Sequence, residues 1–151
     1  MEVNLMILNS DTDQATKQML QYVIEKKRKW DYYHAAHRIM LWTSILYTLA
    51  LFYIFYYSIM TPYQYSLLEM LVILTNKKSY LLIVLLAIFL FSGTTILHKK
   101  REDSEKEYHD LRCEIIDRSK DLWKGEAWKN RHRIFQMMKK TYDINLYHES
   151  K

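Results

Sequence analysis

The sequence predicts an all-α protein: a two-span transmembrane helical hairpin with long cytoplasmic helical extensions at both ends. Three observations carry that expectation. Hydrophobic residues make up 50% of the 151-residue chain while its mean hydropathy is −0.28, so apolar residues are gathered in blocks and charges in others. Two of those blocks are uncharged and long enough to cross a hydrocarbon layer. Lysine and arginine crowd the outer flanks of both blocks and are sparse between them.

Residues 1–38 form the first cytoplasmic element. Ser10-Asp11-Thr12-Asp13-Gln14 opens it, and Asp11 or Asp13 can accept hydrogen bonds from the first free amides of a helix. Ala15, Met19, Tyr22, Lys26, Trp30, Tyr33 and His37 follow at steps of three and four. That is one stripe, uninterrupted by glycine or proline, leading directly into the first span.

The first span is residues 39–60, 22 residues without a formal charge. At the helical rise it covers roughly 33 Å, against a bilayer core of about 30 Å. It is too long for a signal core and follows a long helix-forming segment rather than a short basic region, so a cleaved leader is not expected. The connection, residues 61–79, begins with helix-stopping Pro62. Leu67, Leu68, Met70, Leu71, Val72, Ile73 and Leu74 then surround a single Glu69, too short a run to span and suited to an interfacial helix. The second span, residues 80–97, has 18 uncharged residues closed by His98-Lys99-Lys100-Arg101.

Orientation follows from the flanking charges. Lys26, Lys27, Arg28, Lys29 and Arg38 precede the first span, and Lys99, Lys100, Arg101, Lys106 and Arg112 follow the second. The connection carries only Lys77 and Lys78, so both termini are expected in the cytoplasm. Cys113, the only cysteine, then lies on the side where a free thiol is ordinary. Tyr56, Tyr57, Tyr63, Tyr65 and Tyr80 near one boundary, and Trp30, Tyr32, Tyr33 and Trp42 near the other, suit amphipathic rings in the headgroup layer.

Residues 98–151 form a cytoplasmic helical region broken near Gly125. Residues 99–117 hold five basic and seven acidic groups; residues 118–140 hold eight basic and two acidic. Leu97, Tyr108, Leu111, Ile115 and Leu122 keep an approximate 4-3 spacing that points toward a coiled coil, but Arg101, Ser104 and Arg118 occupy the intervening seam positions. Beyond Gly125, Trp128, Phe135, Met138 and Tyr142 make an apolar stripe flanked by Lys129, Arg131, Arg133 and Lys139, a basic amphipathic helix.

That helix supplies the candidate contact residues Trp128, Lys129, Arg131, Arg133, Phe135 and Lys139. Three readings compete. Basic groups near an anionic inner leaflet each gain about 1 kcal/mol, with Trp128 and Phe135 as apolar anchors. The helix could instead dock on an acidic partner protein or on the chain's own acidic 102–117 stretch. Nucleic acid is not expected, because no helix-turn-helix or RNA-binding signature accompanies the charge.

The common catalytic signatures are missing. Two glycines cannot build a phosphate-cradling loop or a dinucleotide-binding turn, and neither G-x-S-x-G nor H-E-x-x-H occurs. Asp31-x-x-His34-x-x-His37 spreads three donor groups over an arc of roughly 120° on a helix, too wide for all three to share a metal. Cys113 stands among Asp110, Glu114 and Asp117, whose charges discourage a thiolate. No cofactor, metal or catalytic residue is expected.

The ending 142–151, Tyr-Asp-Ile-Asn-Leu-Tyr-His-Glu-Ser-Lys, the Trp-Lys-x-x-x-Trp-Lys of Trp123 to Lys129, and the paired spans together resemble the YpbF-type family of short uncharacterised two-span bacterial membrane proteins. The resemblance implies a multi-pass protein of the bacterial inner membrane and lends no catalytic residue. In topology alone the hairpin is also similar to two-span effector domains that perforate membranes. The sequence therefore predicts a non-catalytic structural or protein-interaction module with a cytoplasmic helical platform, in contact with the lipid bilayer, a homo-oligomer, with an oligomeric pore as the alternative.

Overall fold

The computed structural model describes residues 13–62, 66, 68, 69, 72, 78–123 and 126–148, and every regular element among them is helical. Helix α1 spans Gln14–Phe55, 42 residues, and α2 spans Lys78–Asp117, 40 residues. A short α3, Ser119–Leu122, and the 17-residue α4, Glu126–Tyr142, complete the chain.

The first helix starts directly after Asp13, whose carbonyl accepts the Lys17 amide at 3.1 Å. No glycine or proline lies between Gln14 and Phe55, so the ladder passes position 39 without a break. Near Pro62 it loosens into a π-helical turn, Tyr56–Met60, closed by the Thr61 amide and hydroxyl, both donating at 3.0 Å to the Tyr56 carbonyl. Proline has no amide to donate and its ring crowds the carbonyl four residues back, so no further turn can form. The interfacial helix expected in the connection falls largely outside the described residues, of which Leu68, Glu69 and Val72 are helical.

The chain divides into two compact units, one of Met1–Tyr33 with Arg101–Lys151 and one of His34–Lys100. In the second unit the two long helices run antiparallel. His37 stacks on His98 with ring centroids 5.3 Å apart. Further along, the hydroxyls of Ser44 and Thr94 meet at 3.1 Å, and the Tyr47 hydroxyl donates to the Ile83 carbonyl at 2.7 Å. The methyl end of Met40 lies over Gly93, where an added Cβ would come within 2.5 Å of it and the flexible side chain would have to move aside. Away from this seam the unit's large apolar side chains are exposed, among them Ile39, Trp42, Phe52, Leu82, Leu85 and Phe89. Both long helices are long and apolar enough to cross a membrane by length and composition.

All the buried hydrophobic side chains among the described residues lie in the other, charged unit. Leu20, Val23 and Ile24 of α1, Tyr108 and Ile115 of α2, Trp123, and Ile134, Phe135 and Met138 of α4 form one cluster with Ile144 and Leu146. Of the 4-3 seam positions in α2, Ser104, Tyr108 and Ile115 are buried and Leu111 is half-buried, Arg118 just beyond the helix is exposed, and Arg112, off the seam, is buried at 4% exposure.

Two expectations shift. The buried residues of the first turns of α1 are Thr16, Leu20, Val23, Ile24 and Lys27, one residue later than Ala15, Met19, Tyr22 and Lys26 of the predicted stripe, whereas Met19 and Trp30 of that stripe do pack on the core and His37 is buried. Tyr22 is 58% exposed, and Lys27 goes inward because its stem can lie along apolar surface while its ammonium finds partners. The break in the tail begins earlier than Gly125, which itself lies outside the described residues. The second helix ends at Asp117, and extended Trp123 (φ −118°, ψ 100°) turns the chain while its side chain enters the core at 1% exposure.

Candidate interaction surface

The geometry of the charged unit starts from its tail. Asp143, with φ 58°, adopts the left-handed conformation that short polar side chains tolerate after a helix. This turn reverses the chain, and the Ile144 amide donates to the Met138 carbonyl at 3.1 Å. Ile144 and Leu146 thereby return to the core, and Tyr147 lies over α4, its ring edge-on to Phe135 and its hydroxyl donating to the His132 carbonyl at 3.2 Å. Residues 144–147 of the ending thus form a structural lid on the last helix. Trp123 has the same character, set edge-on to Phe135 with centroids 5.4 Å apart.

The six sequence-predicted contact residues separate by face. Phe135 is 5% exposed and enclosed by Trp123 and Tyr147, so it serves the core rather than the outside. Trp128 is half-buried against the same cluster, with the Arg131 guanidinium stacked 3.3 Å from its ring centroid. Lys129, Arg133 and Lys139 are exposed. The apolar stripe of the helix is therefore used within the unit, and what remains outward is basic.

A cluster that sequence reasoning missed lies beside the tail. Lys27, 8% exposed, places its ammonium 4.2 Å from the Trp30 ring centroid, 3.1 Å from Asp31 and 3.8 Å from Asp143. Trp30 in turn stacks on Tyr108, centroids 5.5 Å apart and planes within 9°. A buried ammonium is tolerated only with such partners, here two carboxylates and an aromatic face. Burial raises the Tyr108 phenol above its ordinary value, opposed by the nearby Arg112 charge. The i, i+3 and i, i+4 spacing of Lys27, Trp30 and Asp31 was the available signal. Lys27, Arg28, Asp31, Lys140 and Asp143 line an open cleft of about 500 Å³, whose walls mix both charge signs.

On the outer side of the unit, Lys26 and Lys29 both donate to one oxygen of Glu107, at 2.8 and 3.0 Å. Hydrogen bonding to Lys26 and then Lys29 holds that carboxyl below the usual carboxylate range. Asp31, His34 and His37 do not converge: Asp31 pairs with Lys27 and His37 stacks on His98. Among the described residues no three His, Cys, Asp or Glu side chains stand close enough together to hold a metal ion.

The fold and its surfaces define an all-helical protein with two long apolar helices and a separately cored, charged helical unit. The chain belongs to the protein family of unknown function DUF2663, which it matches over residues 19–149. It is similar to the uncharacterized protein YpbF of Bacillus subtilis (strain 168), 40% identical over 145 residues that make up 95% of each chain. No solved structure matches it.

Proposed function

We propose that this is a two-span protein of the bacterial inner membrane, with both termini cytoplasmic and the charged helical unit serving as a non-catalytic protein-interaction module. One observation carries the reading: the most apolar sequence in the chain is the part that is not buried. The most hydrophobic 18-residue windows of the two long helices are 6% and 0% buried, while the polar ends of the chain supply the core. In water that distribution would be inverted, since burial of apolar area is the main favourable term in folding. Exposed side chains of this kind are in their preferred solvent when that solvent is lipid.

Topology is tested with cysteines placed at exposed Thr61 and Lys139 in a Cys113→Ser background, and membrane association by alkaline extraction. The protein should remain in the membrane pellet, T61C should label from outside intact cells, and K139C only after permeabilisation. Release into the alkaline supernatant refutes the span reading, and the reverse labelling pattern refutes the orientation. For the opposing pore reading, vesicles containing the pure protein would leak ions. Against a pore, the hydroxyls of Thr43, Ser44, Thr48, Thr94 and Thr95 each donate to a carbonyl three or four residues back.

A further inference from the structure

The charged unit carries two outward lines of like charge, one acidic and one basic, each running along one helix, with exposed Lys106 beside the acidic one. On α2, Asp103, Asp110 and Asp117 are all exposed and recur every seven residues, so they drift by only about 20° per step along the helix surface. They lie well away from Ser104, Tyr108 and Ile115, which point into the core. On α4, Lys129, Arg133 and Lys140 are exposed and fall within about 40° of one another at 100° per residue, diametrically opposite the buried Ile134, Phe135 and Met138.

None of these six side chains forms an ion pair among the described residues. Their neighbours do: Glu107 is taken by Lys26 and Lys29, and Glu114 by Arg118. The aspartate line is about 21 Å long and the basic line about 16 Å at the helical rise, so the two match in length as well as in charge.

We propose that these faces are complementary docking surfaces between copies of this chain, the Asp103–Asp110–Asp117 line of one copy receiving the Lys129–Arg133–Lys140 line of the next. The inference builds on the reading of the charged unit as an interaction module and names its partner as a second copy. Two different faces meet in such a contact, so the association is head-to-tail and extends to rings or rows rather than stopping at a two-fold dimer. Each exposed pair is weak and screened by salt. Confinement of the copies to one membrane raises their effective concentration enough for weak pairs to matter.

The test uses the full chain in vesicles of neutral phosphatidylcholine and, in parallel, with one third phosphatidylglycerol. A zero-length carbodiimide joins a carboxylate to an amine already at ion-pair distance. The wild type should give a ladder of crosslinked species in both lipids at low salt, falling about fivefold or more at roughly 0.5 M salt. D103K/D110K/D117K and K129E/R133E/K140E should each lose the ladder, and mixing the two should restore a crosslinked pair.

Helicity by circular dichroism checks that both reversals fold. The neutral sets D103N/D110N/D117N and K129Q/R133Q/K140Q probe the same faces with less disturbance and should also lose association, read with an amine-reactive crosslinker on the remaining lysines because the new amides cannot react with the carbodiimide. A ladder that survives either reversal overturns the proposal, as does a mixture that fails to recover. Loss confined to the basic-face reversal, and only in phosphatidylglycerol, overturns it in favour of anionic headgroups as the occupant of that face. Alkaline extraction of the same samples reports separately on the span reading.

Discussion

Replacing Lys27 with methionine and, separately, with alanine divides this residue's contribution into charge and stem. At 8% exposure nearly all of its methylene chain is out of water. Truncation to alanine removes three buried methylenes at about 0.8 kcal/mol each and leaves a void, so a loss of about 2–3 kcal/mol is expected. Methionine keeps the volume and removes only the ammonium. What is lost then is the contact with Trp30, about 1 kcal/mol, and two pairs to Asp31 and Asp143, whose side chains are 54% and 93% exposed and therefore well screened. Freedom from burying a charge offsets part of this. K27M should therefore cost about 1 kcal/mol or less, and K27A clearly more. Urea unfolding of the full chain in mild detergent, followed by tryptophan fluorescence, reads the difference, because Trp30, Trp123 and Trp128 all belong to this unit. Equal costs for the two variants, or a negligible cost for both, would refute the division into a packed stem and a modest charge.

Asp143→Gly should leave stability within about 0.5 kcal/mol of wild type, since glycine relieves the left-handed backbone at φ 58° while a solvent-screened pair is lost; Asp143→Val should cost at least about 1 kcal/mol by the same unfolding curve. Phe135→Ala should cost about 3–5 kcal/mol, whereas Lys129→Ala or Arg133→Ala should be nearly silent, a contrast that separates the core face of α4 from its outer face. Glu107 has a folded-state carboxyl pKa below its ordinary 4.5, so the unfolded chain takes up its proton first as pH falls. Its contribution is present above pH 4.5 and is lost as pH drops through the lowered value. Glu107→Gln should therefore flatten the fall of the melting temperature below that pH, and an unchanged acid limb would contradict the assignment.

The elements with strong periodicity were legible in the sequence. The 4-3 spacing finds Tyr108 and Ile115 on the inward face of α2, with Leu111 at its edge and Arg112 unforeseen there, and the unbroken run from residue 14 through residue 55 is one helix, as the lack of glycine and proline implies. Composition misleads where one residue type can satisfy two environments. A tyrosine at position 22 and a lysine at position 27 exchange their usual places because the ammonium of Lys27 has Asp31, Asp143 and the Trp30 ring to receive it. Asp143 comes from more than a hundred residues away in sequence, so no local pattern announces it. Whether Phe135 anchors the surface or packs within the chain stays open on a helical projection for a related reason. The stripe containing it was visible, but Ile144 and Leu146, which cover that stripe, follow a left-handed turn that hydrophobic periodicity does not encode.

The division of α4 into two faces also limits what a partner can read. For the apolar stripe to enter a bilayer or a partner's groove, Ile134, Phe135 and Met138 would first have to leave a core in which each is at most 5% exposed. Each such side chain holds about 1.5–3 kcal/mol of burial, and a lipid phase returns a similar amount, so the exchange brings little gain and costs the fold of the unit. The basic line lies on the opposite face and is available without any rearrangement. If the folded unit is the interaction module proposed above, its recognition is electrostatic, weak for each contact and sensitive to salt, and depends on several contacts acting together. If instead salt leaves the unit's associations unchanged while Phe135→Ala abolishes them without loss of helicity, the helix must open to bind, and the stripe rather than the charged line is the contact.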